Sequence, residues 1–386
     1  MPQKLNKKKE MNSIVIMAQT PPPYGGGEIM NEIMVKGLRN KNIYQIVHID
    51  MSDKRGNANR GKFDFINIGK SLLDLCRLFI ALIKFQPSIV YIPVSKYYQG
   101  FIRDSLYILL SSFFRTKIIG HLHGGYFTLN KGNFVKKNLT NYILKKIDIL
   151  IVLGEKIKRR LKTQIPIESY FVIYNGINPI LSESSSPYEI QQDNFNMIFI
   201  GNLKKSKGLF DILKAFSLIQ EKTDHIELLI AGEWASNKDK KIIINYIAEN
   251  KLEKFIKFWG LVTKDRKIEF FRKGDVLVHP TYYDGQPIVI LEAMSAGLPI
   301  ITTDVGSIAE TVIHQENGFI IPEGRPDLIA EKVLLLYENR TLYMDMSCMS
   351  KRLFNARFTK EVFLEKMNDL FTKVLSESKS QLRSHL

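Results

Sequence analysis

The stretch HPTYYDGQPIVILEAMSAGLPIITTDVG, from His279 to Gly306, holds two acids eight positions apart, Asp284 and Glu292, on either side of a Gly-Gln-Pro turn. Just before it, DVLVHP from Asp275 has the apolar, β-branched character of a buried parallel strand, and TYYDGQP supplies the residues that end it. Ile288 to Ala296 then reads as a helix, with Ala293, Ala296 and Gly297 permitting close packing, and Pro299 opens the next strand, PIITTDV. A loop at a strand's carboxyl end that feeds a helix N-terminus is where open α/β sheets bind phosphorylated ligands, because unpaired backbone N–H groups and the helix dipole favour an anion. Glu292 falls about one turn inside the helix, on the side that can face the loop. An isolated pair of acids is usually a turn residue and a solvated helix acid, so the rest of the chain has to decide.

Outward from this stretch the pattern alternates. Ser13 to Gln19 is a predicted strand, a Pro-Gly loop follows, Glu28 to Arg39 is helical, and Tyr44 to Asp50 is again a strand. Further strands are predicted at Ile89–Pro93, Lys117–His121, Ile147–Leu153 and Tyr170–Tyr174. SESSSPYEIQQDN, Ser182 to Asn194, is polar and Ser-rich and reads as a linker. A second series begins after it with a strand at Asn196–Gly201, a helix at Gly208–Gln220, a strand at Glu227–Ala231, a helix at Asp239–Asn250 and a strand at Ile256–Phe258. A helix at Lys264–Phe271 and a strand at Val276–His279 lead back to the opening stretch. The expected architecture is α/β: two Rossmann-like, doubly wound domains facing a central cleft. Residues 1–12 form a basic tail, 13–181 the first domain, 182–194 the linker and 195–356 the second domain. Residues 357–386 hold a last helix, from about Thr359 to Glu377, that crosses back onto the first domain.

Composition is compatible with this and narrows the partners. A chain of 386 residues that is 45% hydrophobic can fill two cores. Cys76 and Cys348 lie in apolar, helix-like stretches, which predicts buried free thiols in a reducing compartment. No apolar run reaches the roughly eighteen residues of a spanning helix, and MPQKLNKKKE has no apolar signal region, so a cytoplasmic protein is expected. The net charge of +16 is one-sided: residues 1–175 carry 28 Lys and Arg against 11 Asp and Glu. The basic clusters Lys136-Lys137, Lys145-Lys146 and Lys156 to Lys162 sit beside apolar or aromatic residues, which suits an anionic membrane surface or a lipid diphosphate. Nucleic acid is not expected, for no zinc spacing, aromatic RNA-binding signature or helix-turn-helix is present.

Three further motifs bear on chemistry. Pro21-Pro22-Pro23-Tyr24-Gly25-Gly26-Gly27 follows the first strand and opens a helix, where Gly26 and Gly27 let backbone approach a phosphate; alone this is weak, since Gly-rich βα turns are common. IGNLKKSKG, residues 200–208, ends the first strand of the second series, and Lys207 at the following helix can neutralise a diphosphate leaving group. HLHGGYF, His121 to Phe127, follows KIIG; alternating histidines in a strand share a face and are more often structural than catalytic.

Together these stretches resemble the family 4 retaining glycosyltransferases (GT-B fold, glycosyl transferases group 1). The family's donor signature is Glu, seven residues, Glu, then a Gly-x-Pro strand and a Gly-rich turn; it also has a PP-x-x-GG-x-E opening, which here reaches Glu28, and Gly-Arg followed four residues later by Lys-Gly. YNGIN, Tyr174 to Asn178, matches its usual end to the first half. The resemblance implies that Glu292 holds the ribose hydroxyls of a nucleotide and Asp284 the transferred sugar. It implies that Lys207, Gly201 and Asn202 meet the diphosphate, with the loop Gly285, Gln286, Pro287, Ile288 and the glycines Gly26 and Gly27 lining the donor. His123, favoured over His121 by its His-Gly context, would reach the sugar from the first, acceptor-side domain; His123, Lys207, Asp284 and Glu292 are the expected catalytic set. Two departures stand out: Asp284 is one methylene shorter than the usual Glu, and Asn202 replaces the usual Arg, for which Lys204 or Lys205 can substitute.

The activity implied is transfer of a hexosyl unit, with retention, from a nucleotide-diphosphate sugar to a lipid-linked saccharide or polysaccharide precursor. The setting would be lipopolysaccharide or capsule assembly, peripheral on the inner face of a bacterial membrane. No metal and no cofactor beyond the donor are expected. Two alternatives remain at this level, a sugar-nucleotide epimerase of the same fold and a non-catalytic membrane-associated scaffold. Acceptor contacts are expected around Lys96 to Phe101 and Phe127 to Phe134.

Overall fold

The computed structural model describes residues 11–22, 24–54, 65–125, 134–181 and 194–383. The basic tail to residue 10, Pro23, residues 127–133 of the expected acceptor segment and residues 182–193 of the expected linker lie outside these ranges.

Two parallel sheets form the scaffold. The first takes β1 (Ser13–Ala18), β2 (Gln45–Asp50), β3 (Ile89–Pro93), β4 (Lys117–Leu122), β5 (Ile149–Val152) and β6 (Tyr170–Val172) in the order β2-β1-β3-β4-β5-β6. The second takes β7 (Phe195–Ile200), β8 (Ile226–Ala231), β9 (Ile256–Gly260), β10 (Val276–His279), β11 (Ile300–Thr303) and β12 (Gly318–Ile321) in the order β12-β11-β10-β7-β8-β9. Parallel neighbours need a crossover, which helices provide. In the first half these are α1 (Gly26–Lys41), α2 (Phe65–Phe85), α3 (Tyr98–Ser112), α4 (Phe134–Leu144) and α5 (Glu155–Lys162). The second half has α6 (Leu209–Gln220), α7 (Asn237–Glu249), α8 (Lys264–Lys273), α9 (Ile288–Ala296), α10 (Pro326–Glu338) and α11 (Arg340–Arg357), before a final α12 (Lys360–Arg383).

The continuous apolar strands follow from helices covering both faces of each sheet. All six residues of β1 are buried. On one face of the first sheet, Met30, Met34 and Leu38 of α1 share a core with Phe363, Met367 and Phe371 of α12. On the other, α2 contributes Leu78 and Leu82, α3 Phe101 and Tyr107, and α4 Ile143. The last helix therefore returns to the first half: Gly37 lies so close under Leu364 that a Cβ there would be 2.3 Å from its Cδ1. Tyr44 Oη also lies 3.0 Å from Asn368 Oδ1 and 2.9 Å from Thr372 Oγ1.

Strand order locates the ligand crevice. Chain direction along the first sheet reverses between β1 and β3, and along the second between β7 and β10. At such a switch point the loops leaving two adjacent strands turn opposite ways and open a crevice beyond their carboxyl ends. The Gly-rich loop leaves β1, residues 201–208 leave β7 and the Asp284 loop leaves β10.

Two sequence readings change. Strand β12, GFII, was not anticipated; it is short, starts on glycine and shows no period. Cys76 and Cys348 are free but exposed, because each falls on the outer side of its helix. No helix among the described residues is long and apolar enough to cross a membrane.

Candidate active site

The second half supplies two charge pairs. After β7, Gly208 has φ +77 and a Cβ there would meet the Pro280 carbonyl oxygen at 2.2 Å, so glycine alone lets the short 3-10 turn at Lys205–Lys207 press against the loop that leaves β10. The loop answers from its side: Tyr282 N–H donates to the Ser206 carbonyl at 3.1 Å, and Tyr282 Oη donates to Asp211 at 2.7 Å. These ties bring Lys207 Nζ to 2.5 Å from Asp284 Oδ2, across 77 residues of sequence. His279, at the end of β10, places Nε2 3.2 Å from the same oxygen. A carboxylate only accepts, so His279 carries its proton on Nε2. Burial alone would raise the Asp284 carboxyl, but the His279 hydrogen bond and the Lys207 charge outweigh it and hold the group well below the usual carboxylate range. Burial in turn lowers His279 and keeps it neutral.

The second pair is Lys267 of α8 with Glu292 of α9. Helix α9 is buried along nearly its whole length, and Gly297, at φ +80, ends it. Glu292 is therefore taken out of water with its helix. Burial raises its carboxyl, and the Lys267 ammonium only partly reverses this. Pro287 precedes α9 with no side-chain cap, which leaves the helix N-terminus beside Asp284 and Gly285 available to an anion.

The first half contributes neutral groups. His121 and His123 stack with ring centroids 3.9 Å apart. His121 Nδ1 is 2.7 Å from Tyr91 Oη, inside the core of the first sheet. Among the described residues neither nitrogen of His123 has a hydrogen-bond partner, and burial pushes this imidazole down to about 4. A Cβ built at Gly27 would lie 3.5 Å from His123 Cγ, and one at Gly26 3.6 Å from Ile288 Cδ1, so the Gly-rich loop touches both walls. The two residues after His123 meet the Asp284 loop directly: a Cβ at Gly125 would be 2.0 Å from the Asp284 carbonyl oxygen.

The structure thus gathers Lys207, Asp284, Gly285, Ile288 and the His123 loop at one cleft, with Gly26 and Gly27 at its edge. Gly201 and Asn202 sit where β7 ends, Asn202 exposed. Gln286 is committed elsewhere. Its Oε1 accepts from the Asn175 N–H at 2.6 Å, its carbonyl accepts from Asn175 Nδ2 at 3.0 Å, and its Nε2 donates to Thr311 at 3.1 Å. It ties the halves together, as does Glu310, whose carboxylate accepts from the N–H groups of Glu155 and Lys156 and from Tyr174 Oη, each at 2.8 Å. Sequence reading missed His279, Lys267 and Glu310. His279 was visible as a polar residue closing a buried strand five positions before Asp284, but nothing local marked the other two.

Residues 182–352 match the family model described as glycosyl transferases group 1. That match lies in the second half of the chain. Similar proteins include the capsular polysaccharide biosynthesis glycosyltransferase CapM of Staphylococcus aureus, 26% identical over half of each chain. The N-acetyl-alpha-D-glucosaminyl L-malate synthase of Bacillus anthracis is 22% identical over 69% of this chain and 70% of its own length. The chain spans about half the length of the first of these relatives. Among solved structures, Anabaena HepE in complex with UDP and glucose superposes with a TM-score of 0.73, at 16% identity over 94% of this chain and all of that one. That likeness is one of fold, and the fold is GT-B.

Proposed function

We propose that the chain is a retaining glycosyltransferase that moves a hexosyl unit from a nucleotide-diphosphate sugar to a lipid-linked saccharide or polysaccharide precursor. The observation that carries this reading is the meeting of Lys207 and Asp284 at the β7/β10 switch point, beside the N-terminus of α9 and the buried Glu292. Glu292 would take the ribose hydroxyls, and Lys207 and the α9 N-terminus the diphosphate; Asp284 would take the sugar. Because Lys207 and Asp284 share a contact, they can serve adjoining parts of one ligand. His123, neutral at pH 7 and without a partner, would hydrogen-bond the sugar from the opposite wall.

In the transfer, the bond between the anomeric carbon and the diphosphate oxygen breaks while an acceptor hydroxyl bonds to that carbon on the same face. The acceptor proton goes to the leaving phosphate oxygen, whose growing charge Lys207 offsets. Charge neutralisation by a lysine and a helix terminus makes the reaction metal-independent in this reading, and insensitivity to a chelator is the expected result. The UDP-glucose complex of the Anabaena protein makes that nucleotide sugar the first donor to try. The Staphylococcus relative makes capsular polysaccharide the first setting.

The test is thermal stabilisation by a panel of nucleotide sugars, followed by anomeric analysis of the product. A product of inverted configuration, or stabilisation that survives in Glu292→Ala, would overturn the assignment.

A further inference from the structure

Helix α2 is apolar on two opposite sides. Leu78, Ala81 and Leu82 pack into the core of the first sheet. Phe65, Leu72, Leu73, Phe79, Ile80 and Ile83, however, form a separate stripe that is 47 to 94% exposed. At 100° per residue these six positions fall within roughly 120° of one another, along about 27 Å of helix. A contiguous apolar patch of this length is uncommon on a monomer and marks an interaction surface. It continues onto the adjacent α3 through the exposed Ile102 and Leu106, and α4 adds the exposed Leu139 and Tyr142.

Charge identifies the partner. The acids of α2, α3 and α4 are Asp74 and Asp104, and both are buried. Asp74 pairs with Arg77 and Asp104 with Arg103. The charged side chains these helices show to solvent are therefore basic, Lys70, Arg77, Lys84, Lys136 and Lys137 among them. Lys70, Arg77 and Lys84 lie along one flank of the apolar stripe, at helical angles of roughly 100° to 140° from Phe65. An apolar stripe with a basic flank and, on these three helices, no exposed acid is the pattern of a helix lying in the plane of an anionic bilayer, its apolar side chains among the acyl groups and its long cations at the headgroups.

We propose that the outer face of α2, extended by α3 and α4, docks the protein on an anionic lipid bilayer. A hollow of about 250 Å³ opens at the edge of this face, lined by Leu72 and Leu106 and, at its other end, by Gln19 and Glu28 behind the Gly-rich loop. Docking on this face therefore turns the acceptor side of the cleft toward the membrane. The inference extends the reading of a lipid-linked acceptor, yet it can be tested without turnover.

The experiment is co-sedimentation of the full chain with vesicles of phosphatidylcholine alone or mixed with phosphatidylglycerol. Wild type is expected to sediment with the mixed vesicles and to be released by salt. The variant Leu72→Glu/Phe79→Glu/Ile83→Glu should lose at least ~10-fold in vesicle affinity, and Lys136→Ser/Lys137→Ser a few-fold, with melting temperatures near that of wild type. Equal sedimentation of wild type and the triple variant would overturn the proposal. So would a wild type that ignores both vesicles but forms a dimer broken by the triple variant, which would assign the stripe to a second copy. A protein that transfers sugar to a soluble acceptor while ignoring vesicles would sink the docking face and leave the enzymatic reading standing.

Discussion

The two walls of the cleft solve the same task, holding polar groups out of water, in opposite ways. The second-half wall pairs its acids with lysines, Lys207 with Asp284 and Lys267 with Glu292, and holds Asp284 charged. The first-half wall keeps its groups neutral by burial, His121 and His123 both lying below the ordinary imidazole range. A buried charge is tolerated only with a partner, whereas a buried imidazole can shed its proton. The difference teaches which wall suits a diphosphate and which a neutral sugar or acceptor. It also separates how each wall should respond to mutation and to acid.

Breaking a charge pair should have the largest effect. Glu292→Ala is expected to abolish stabilisation by nucleotide and to leave Lys267 partly buried without its carboxylate, at a cost of a few kcal/mol. Replacing both, as Lys267→Met/Glu292→Leu, should recover much of the melting temperature but none of the nucleotide binding. If the double variant still bound nucleotide, the pair would be structural only.

Lys207→Ala should come next, lowering transfer by roughly 10²- to 10³-fold, mainly in kcat, as expected for loss of a group that meets charge only as the leaving group departs. It also removes one of the two influences that hold Asp284 down, so the Asp284 carboxyl should move upward and activity should fall earlier on acidification. An unchanged acid limb in the pH profile would separate Lys207 from Asp284.

Acid probes the other wall. His123 has an unfolded value near 6.5 and a folded value of about 4, so the unfolded chain binds the extra proton. Its contribution is complete above pH 6.5 and is lost as pH falls from there toward 4, up to about 3 kcal/mol for this one group. His123→Phe should flatten that part of the stability curve; urea unfolding across this pH window reads it directly. A slope unaltered by the substitution would place the titration elsewhere, with His121 and His279 the next candidates.

The smallest effect is expected at the tie between the walls. Glu310→Gln keeps the size but weakens the contacts to Glu155, Lys156 and Tyr174, for a loss of about 1 kcal/mol. Faster hydrogen exchange at the Glu155 and Lys156 amides would report it, with the two sheets' own protection unchanged.

Much of this was legible in the sequence. The strands at Ile89–Pro93 and Val276–His279 and the helix at Ile288–Ala296 coincide with the structure because parallel strands buried on both faces are continuous apolar runs with clear turn signals. Asp284 and Lys207 stood out because each sits between a strand end and a glycine, and Glu292 because it lies about one turn inside the helix that follows. What could not be read was pairing at a distance. Lys207 and Lys267 meet their acids only once the strands are ordered and the helices packed, and Gln286, which looked like part of the donor loop, turns inward to Asn175.

The sequence by itself determined the alternation of strands and helices and the two halves, since these follow from short-range spacing. Only the tertiary structure decided that β7 and β10 lie side by side, so that Lys207 reaches Asp284. It also decided which side of α2 finds the core and which stays in solvent. A helix that is apolar on two opposite sides carries no local instruction about which of them turns inward. The sheet beneath it takes one side, and the other is left for a partner.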